Sequence, residues 1–259
     1  MKIEIQKSIK ISNEDDWFKV SPPKGGKKQW KKGRSARLLA QYTTDQTSDF
    51  KQLIEKILHE CGLEKQNFNC EPEASASLGT GFGGGGSRNH DLLMIGKDCV
   101  IGVEAKVSES FDKEIHEVKS KSETRKLRAD KLIGFLVREK SDDKINKLGY
   151  QLFTATRGTM CSAEESRVKK AVFLVIVFTG DIDKEKELDY DVRCDKNNKD
   201  FKAFLECVNA DENGLIEREV NGVQIKCWIK KAEVDVKKVN GTYTFRLKLM
   251  QKGIAIIER

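Results

Sequence analysis

Residues 91–107 read DLLMIGKDCVIGVEAKV, and this stretch decides the fold. Two short runs rich in apolar and β-branched residues, Asp91–Ile95 and Cys99–Val107, flank the turn tripeptide Gly96-Lys97-Asp98, which is the pattern of a β-hairpin. Side chains two apart on a strand share a face. Val103, Ala105 and Val107 therefore point one way, and Glu104 and Lys106 the other. A carboxylate beside an ammonium inside an apolar strand is costly to desolvate unless the charges pair or hold a ligand. The hairpin also returns Asp91 towards Glu104.

Two converging carboxylates make a hard oxygen site suited to Mg²⁺, with Mn²⁺ as a substitute. A divalent ion there can polarise a phosphodiester oxygen and activate water. Lys106 is placed to orient that water or to stabilise developing charge. The plain alternative is a structural Glu104–Lys106 bridge, since ExK triplets arise by chance in a chain with 41 acidic and 48 basic residues. Its position in an apolar strand behind an Asp-led hairpin favours the site.

Working outward, the spacing of Phe50, Leu53, Ile54, Ile57, Leu58 and Cys61 predicts a helix over 49–61, ended by Gly62. A polar strand over 67–77 and a glycine-rich loop over 79–89 lead into the hairpin. Lys-rich helical sequence fills 110–138, a second helix covers 144–156, and AVFLVIVF (171–178) reads as a fully buried strand. Upstream lie a short strand (3–11), a Pro/Gly/Lys loop (21–33) and a short helix opened by Ser35. Downstream come a helix carrying Phe201, Phe204, Leu205 and Val208, then alternating strands near 224–236 and 242–257. The expected organisation is an N-terminal strand, basic loop and short helix (1–48), an α/β core (49–181), and a small α+β appendage of helix and hairpin packed on it (182–259).

The 259 residues carry a net charge of +7, which favours polyanionic partners through phosphate neutralisation. The seven cysteines form no CxxC and no close Cys/His group, so neither a zinc ribbon nor a disulfide framework is indicated. Reduced thiols, the lack of a signal-peptide core in MKIEIQKSIKI and the shortness of the longest apolar run imply a cytoplasmic protein with no membrane partner.

Asp91, followed after a hairpin by Glu104-Ala105-Lys106, resembles the signature of the PD-(D/E)XK nuclease superfamily. The likeness covers residues 49–178. It implies a restriction-endonuclease-like mixed central sheet flanked by helices, and a Mg²⁺-dependent hydrolase of phosphodiester bonds with DNA as the expected substrate. Asp91 and Glu104 would hold the metal, and Lys106 would serve the attacking water. Many members add an upstream acidic residue; Glu73 is favoured, from its Pro-Glu pair before the glycine-rich loop, then Glu71, with Glu55 a third choice. Many related cores act as dimers, so a homodimer is implied. Trp30-Lys-Lys-Gly33-Arg-Ser-Ala36, GVEAKVSESF (102–111) and Tyr150-Gln151-Leu152 are also similar to a group of uncharacterised bacterial proteins of the same nuclease-like class. Two departures stand: His90 replaces the proline before Asp91, and Tyr150 and Gln151 are adjacent where some members have Gln-x-x-x-Tyr.

Weaker signals surround this set. The loop GTGFGGGGSRNH (79–90) lacks the Gly-Lys-Ser/Thr ending of a P-loop, and strand follows it. A flexible loop is the plainer reading, though its glycines would still let a phosphate backbone approach, with Arg88 in contact; His90 reads as a strand cap, with support of a site residue as the alternative. Lys28, Lys32 and Arg34 around Trp30 suit nucleic-acid binding, with a solvated loop as the alternative. Gln151 is an accessory residue placed to reach the site from its helix, beside Tyr150, with plain helix packing as the alternative. The rival functional class is a non-catalytic module that binds nucleic acid or a partner on a nuclease-like fold; an effector needing an activator is a third.

Overall fold

A computed structural model describes every residue except 7–9, 46–47, 80, 83–85, 139–141, 183–189 and 252–259, and the side chains of all those but 28, 142, 190–191 and 249–251. Among the described residues the strands are β1 (Ile3–Ile5), β2 (Phe68–Ser77), β3 (Ser87–Gly96), β4 (Val100–Lys106), β5 (Lys170–Gly180), β6 (Leu215–Val220), β7 (Val223–Val239) and β8 (Thr242–Gln251). The helices are α1 (Glu14–Val20), α2 (Ser35–Thr44), α3 (Phe50–Glu60), α4 (Ile115–Lys119), α5 (Glu123–Leu136), α6 (Asp142–Asn146), α7 (Tyr150–Glu165) and α8 (Tyr190–Cys207).

The strands form one mixed sheet in the order β1-β2-β3-β4-β5-β7-β6, with β8 also on β7. The β2-β3-β4 segment is antiparallel, as hairpins require; β4-β5 and β5-β7 are parallel and are joined by crossovers containing helices. β5 explains the layering. Val172, Leu174, Ile176 and Phe178 enter one core, with Trp17 of α1, Leu38 of α2 and Leu53 and Ile57 of α3. Ala171, Phe173, Val175 and Val177 enter the other, with Leu132 of α5, Phe153 of α7 and Phe204 of α8. A strand buried on both faces is apolar throughout, as AVFLVIVF is. No described helix is long and apolar enough to cross a membrane.

Several boundaries differ from expectation. Residues 182–259 are not an appendage packed on the core, because β7 runs parallel to β5 from Lys170↔Lys226 to Gly180↔Val236 and so extends the central sheet. β1 likewise pairs with β2 and belongs to that sheet. β3 begins at Ser87, four residues before Asp91, because its first half pairs with Ser77–Ala74 of β2. The helix expected over 144–156 is two: α6, then α7 from Tyr150 to Glu165. Helix α1, capped by the Asn13 side chain on the Asp16 amide, and strand β6 were not anticipated. The tail of the last expected strand, 252–257, lies outside the described residues.

Candidate active site

Three carboxylates stand abreast where β2, β3 and β4 run side by side. The pairs Pro72↔Leu92 and Ala74↔His90 bracket Glu73 and Asp91, and Leu92↔Val103, continued by one residue, sets Asp91 across from Glu104. Residues directly opposite on neighbouring strands are within side-chain reach. Glu73, Asp91, Glu104 and Lys106 all line one cleft of about 970 Å³, together with Arg88 and Gln151.

The backbone is unusual at this row. Glu73 has φ +49°, in the left-handed region that non-glycine residues seldom adopt. On either side of it the strands change allegiance. Cys70, Leu92 and Met94 lie in the core beneath α3, whereas Ala74 lies in the core beneath α7. The β2–β3 pair thus reverses its inward face at Glu73 and Asp91, and the carboxylates sit at the crossover.

Glu104 is 2% exposed, on a strand buried along its whole length. It is held by three donors. Arg88 Nη2 lies 2.5 Å from Oε2, Lys106 Nζ lies 3.3 Å from Oε1, and Gln151 Nε2 also donates to Oε1. Gln151 reaches it because α7 begins at Tyr150, which also directs the positive end of the helix dipole towards the site. Lys106 is boxed in from the other side, its Nζ 5.8 Å from the centre of the Phe111 ring. Asp91 is half-buried, and its Oδ2 accepts the Ala105 amide at 2.7 Å. Loss of water and then the neighbouring Glu104 push its carboxyl well above the usual carboxylate range; Glu73 adds to this, and Lys106 opposes it.

The donor set is hard oxygen, which suits Mg²⁺, an ion that keeps several of its own waters. Among the described residues no three His, Cys, Asp or Glu side chains are grouped so as to hold a metal ion by themselves. Asp91 and Glu104 place two carboxylates side by side, and Glu104 already binds cationic groups from its own chain.

Other expected residues are more dispersed. Arg34 lines the cleft, as do Lys24 and Gln29 from the same loop. Lys32 is exposed and away from the cleft wall, and the Lys28 side chain lies outside the described residues. Trp30 is half-buried: its ring packs against Phe18, 5.2 Å between centroids, and against the core beneath α3. Glu71 does not reach the cleft. Neither does Glu55, on the exposed side of α3, where it pairs with Lys65 at 2.9 Å; α3 covers the sheet face opposite to that carrying α7 and Glu104. His90 does not cap a strand end. It is fully buried between β4 and α7, where a Cβ on Gly102 would stand 2.8 Å from its Cε1 and one on Gly158 would stand 3.2 Å from its Nε2. Burial holds its imidazole well below the usual range, so it is neutral.

One cleft residue carried no signal in the sequence. Glu109 accepts from the Val107 amide at 2.7 Å and from Ser35 Oγ at 3.1 Å, tying the start of α2 to the end of β4. It lies beyond the strand, where alternation no longer assigns a face.

A family model described as "Domain of unknown function (DUF6946)" matches residues 10–234. No curated protein and no solved structure matches the chain.

Proposed function

This chain belongs to the DUF6946 family, a domain of unknown function, and from its cleft we propose that it is a metal-dependent nuclease of the PD-(D/E)XK type, hydrolysing phosphodiester bonds in DNA. One observation carries the reading: Asp91 and Glu104 stand abreast in a single cleft with Lys106 two residues beyond Glu104 on the same face. The succession of α3, the antiparallel β2–β4, intervening helices and a β5 parallel to β4 supports a restriction-endonuclease-like core.

In this reading Asp91 and Glu104, assisted by Glu73, hold Mg²⁺ or Mn²⁺, which when bound supplies charge neutralisation and polarisation of the phosphodiester. Gln151 fixes one Glu104 oxygen. Lys106, held beside Glu104, donates to the attacking water or to charge developing on phosphate oxygens. Arg34 and Lys24 on the rim attract the backbone of the nucleic acid. The net charge of +7 favours such a polyanion.

The test is incubation of the purified protein with plasmid, single-stranded DNA and RNA, in Mg²⁺, Mn²⁺ and EDTA. Cleavage should need the divalent ion and cease in EDTA. Lys106→Ala and Glu104→Ala should each lower the rate by at least about 100-fold, the usual loss for an electrostatic catalytic group. Equal cleavage by a Glu104→Ala/Lys106→Ala double variant would sink the proposal. The saturation of Glu104 by three donors favours a second reading, a nucleic-acid-binding module without catalysis. DNA affinity with no cation uptake in calorimetry would select it.

A further inference from the structure

We infer that Arg88 is a displaceable counter-ion: it holds Glu104 in the cation-free protein, and on release its guanidinium engages a phosphate of the bound polyanion. The inference rests on the metal-dependent reading above. It begins from how incompletely Arg88 is held. A permanent arginine–carboxylate pair is commonly a fork of two parallel bonds. Here a single nitrogen, Nη2, reaches Glu104, and it is shared with the Asn89 carbonyl, to which Nε also donates at 2.9 Å. Nη1 is buried with no hydrogen-bond partner among the described residues. One strong donor therefore stands ready for an acceptor that the described residues do not supply.

Of the two cationic groups on Glu104, Arg88 is the one with somewhere to go. Lys106 sits inside the sheet against Phe111, and Gln151 is neutral. Arg88 lines both the main cleft and an adjoining pocket of about 350 Å³ walled by Arg128, Tyr150 and Thr154. A divalent cation on Glu104 would repel the guanidinium, and a phosphate would draw it away. Each ligand removes an obstacle to the other, so cation and polyanion should bind with positive coupling, equal in both directions by thermodynamic linkage.

The deciding measurement is calorimetric titration of Mn²⁺ into wild type, Arg88→Ala and Arg88→Gln, with circular dichroism to establish folding. Arg88→Gln keeps a neutral donor for the buried Glu104 and guards against a variant that does not fold. With the competing charge gone, both variants should bind Mn²⁺ about tenfold or more tightly than wild type, within the range of ordinary coupling. A labelled oligonucleotide followed by anisotropy in Ca²⁺ should bind wild type more tightly than either variant. Unchanged or weaker Mn²⁺ binding by folded variants, with wild type binding the ion, overturns the inference and leaves the nuclease reading intact. Tighter Mn²⁺ binding with unchanged oligonucleotide affinity overturns the phosphate role. Absence of Mn²⁺ binding in all three proteins removes the metal-dependent reading, and this inference with it.

Discussion

Glu73 holds a left-handed backbone at φ +49° beside two other carboxylates, and a non-glycine residue in that region costs about 1 kcal/mol or more. Such strain persists where surrounding structure fixes it, here the β2–β3 pairing on either side. Glu73→Gly should therefore keep or raise stability in urea, by up to about 1 kcal/mol, while cleavage falls. A clear loss of stability would instead assign Glu73 to the fold. The central residues were legible because alternation in a strand is strict: Glu104 and Lys106 had to share a face, and a hairpin had to bring Asp91 near. Glu109 was not, because its placement depends on contacts with Ser35 across 74 residues of chain. The same limit applied to Trp30, whose ring is half-buried against Phe18 and the core beneath α3, contacts that its basic neighbours do not announce.

At the scale of elements, β4 and α7 meet at a surface with no spare room. A Cβ at Gly102 would collide with Thr159 Oγ1 and with the His90 ring. Gly102→Ala should destabilise by about 1–3 kcal/mol, as overpacking does, read as a lower urea midpoint with unchanged slope. Arg218 makes a different joint. From β6 its Nη2 donates to the carbonyls of Leu136 and Val208, just where α5 and α8 end, and its Nε donates to Phe135. Carbonyls at a helix C-terminus need outside donors. Arg218→Ala should cost on the order of 2 kcal/mol or more, since several buried acceptors lose their partner together. A change below about 0.5 kcal/mol, typical of surface substitutions, would refute this. Helix α3 and strand β5 were readable because their apolar periods are complete. β6 was missed because a buried arginine interrupts its alternation, Ile216–Arg218–Val220. α1 buries only Trp17, although Asn13 followed by three acidic residues was a usable start signal.

Across the whole molecule, the sheet runs from β1 to the C-terminal hairpin, and its least legible feature is the parallel pairing of β5 with β7. Both strands were readable singly, but a pairing between segments 56 residues apart leaves no local pattern, so the hairpin read as an addition. Five cysteines are buried, and Cys194 and Cys207 are partly exposed. Burial pushes Cys61, Cys99 and Cys227 up to about 12 and Cys161 up to about 11. A raised thiol pKa depletes thiolate, to about one part in ten thousand at pH 8 for a value of 12. A thiol reagent at pH 8 should therefore titrate Cys194 first, Cys207, whose thiol burial also raises, more slowly, and the other five only after denaturation. Rapid modification of all seven would mean that the cores open readily. Those two cores share the strands of one sheet, and the cleft opens where the β2–β3 pair crosses from one to the other. Anything lodged there braces both halves at once, so heating should produce a single melting transition that moves upward with an occupant, whose binding adds about 2.7 kcal/mol of stability at a hundred times its Kd. Thermal scans against panels of ions and nucleic acids would thereby report what this crossing was shaped to hold, before any reaction is observed.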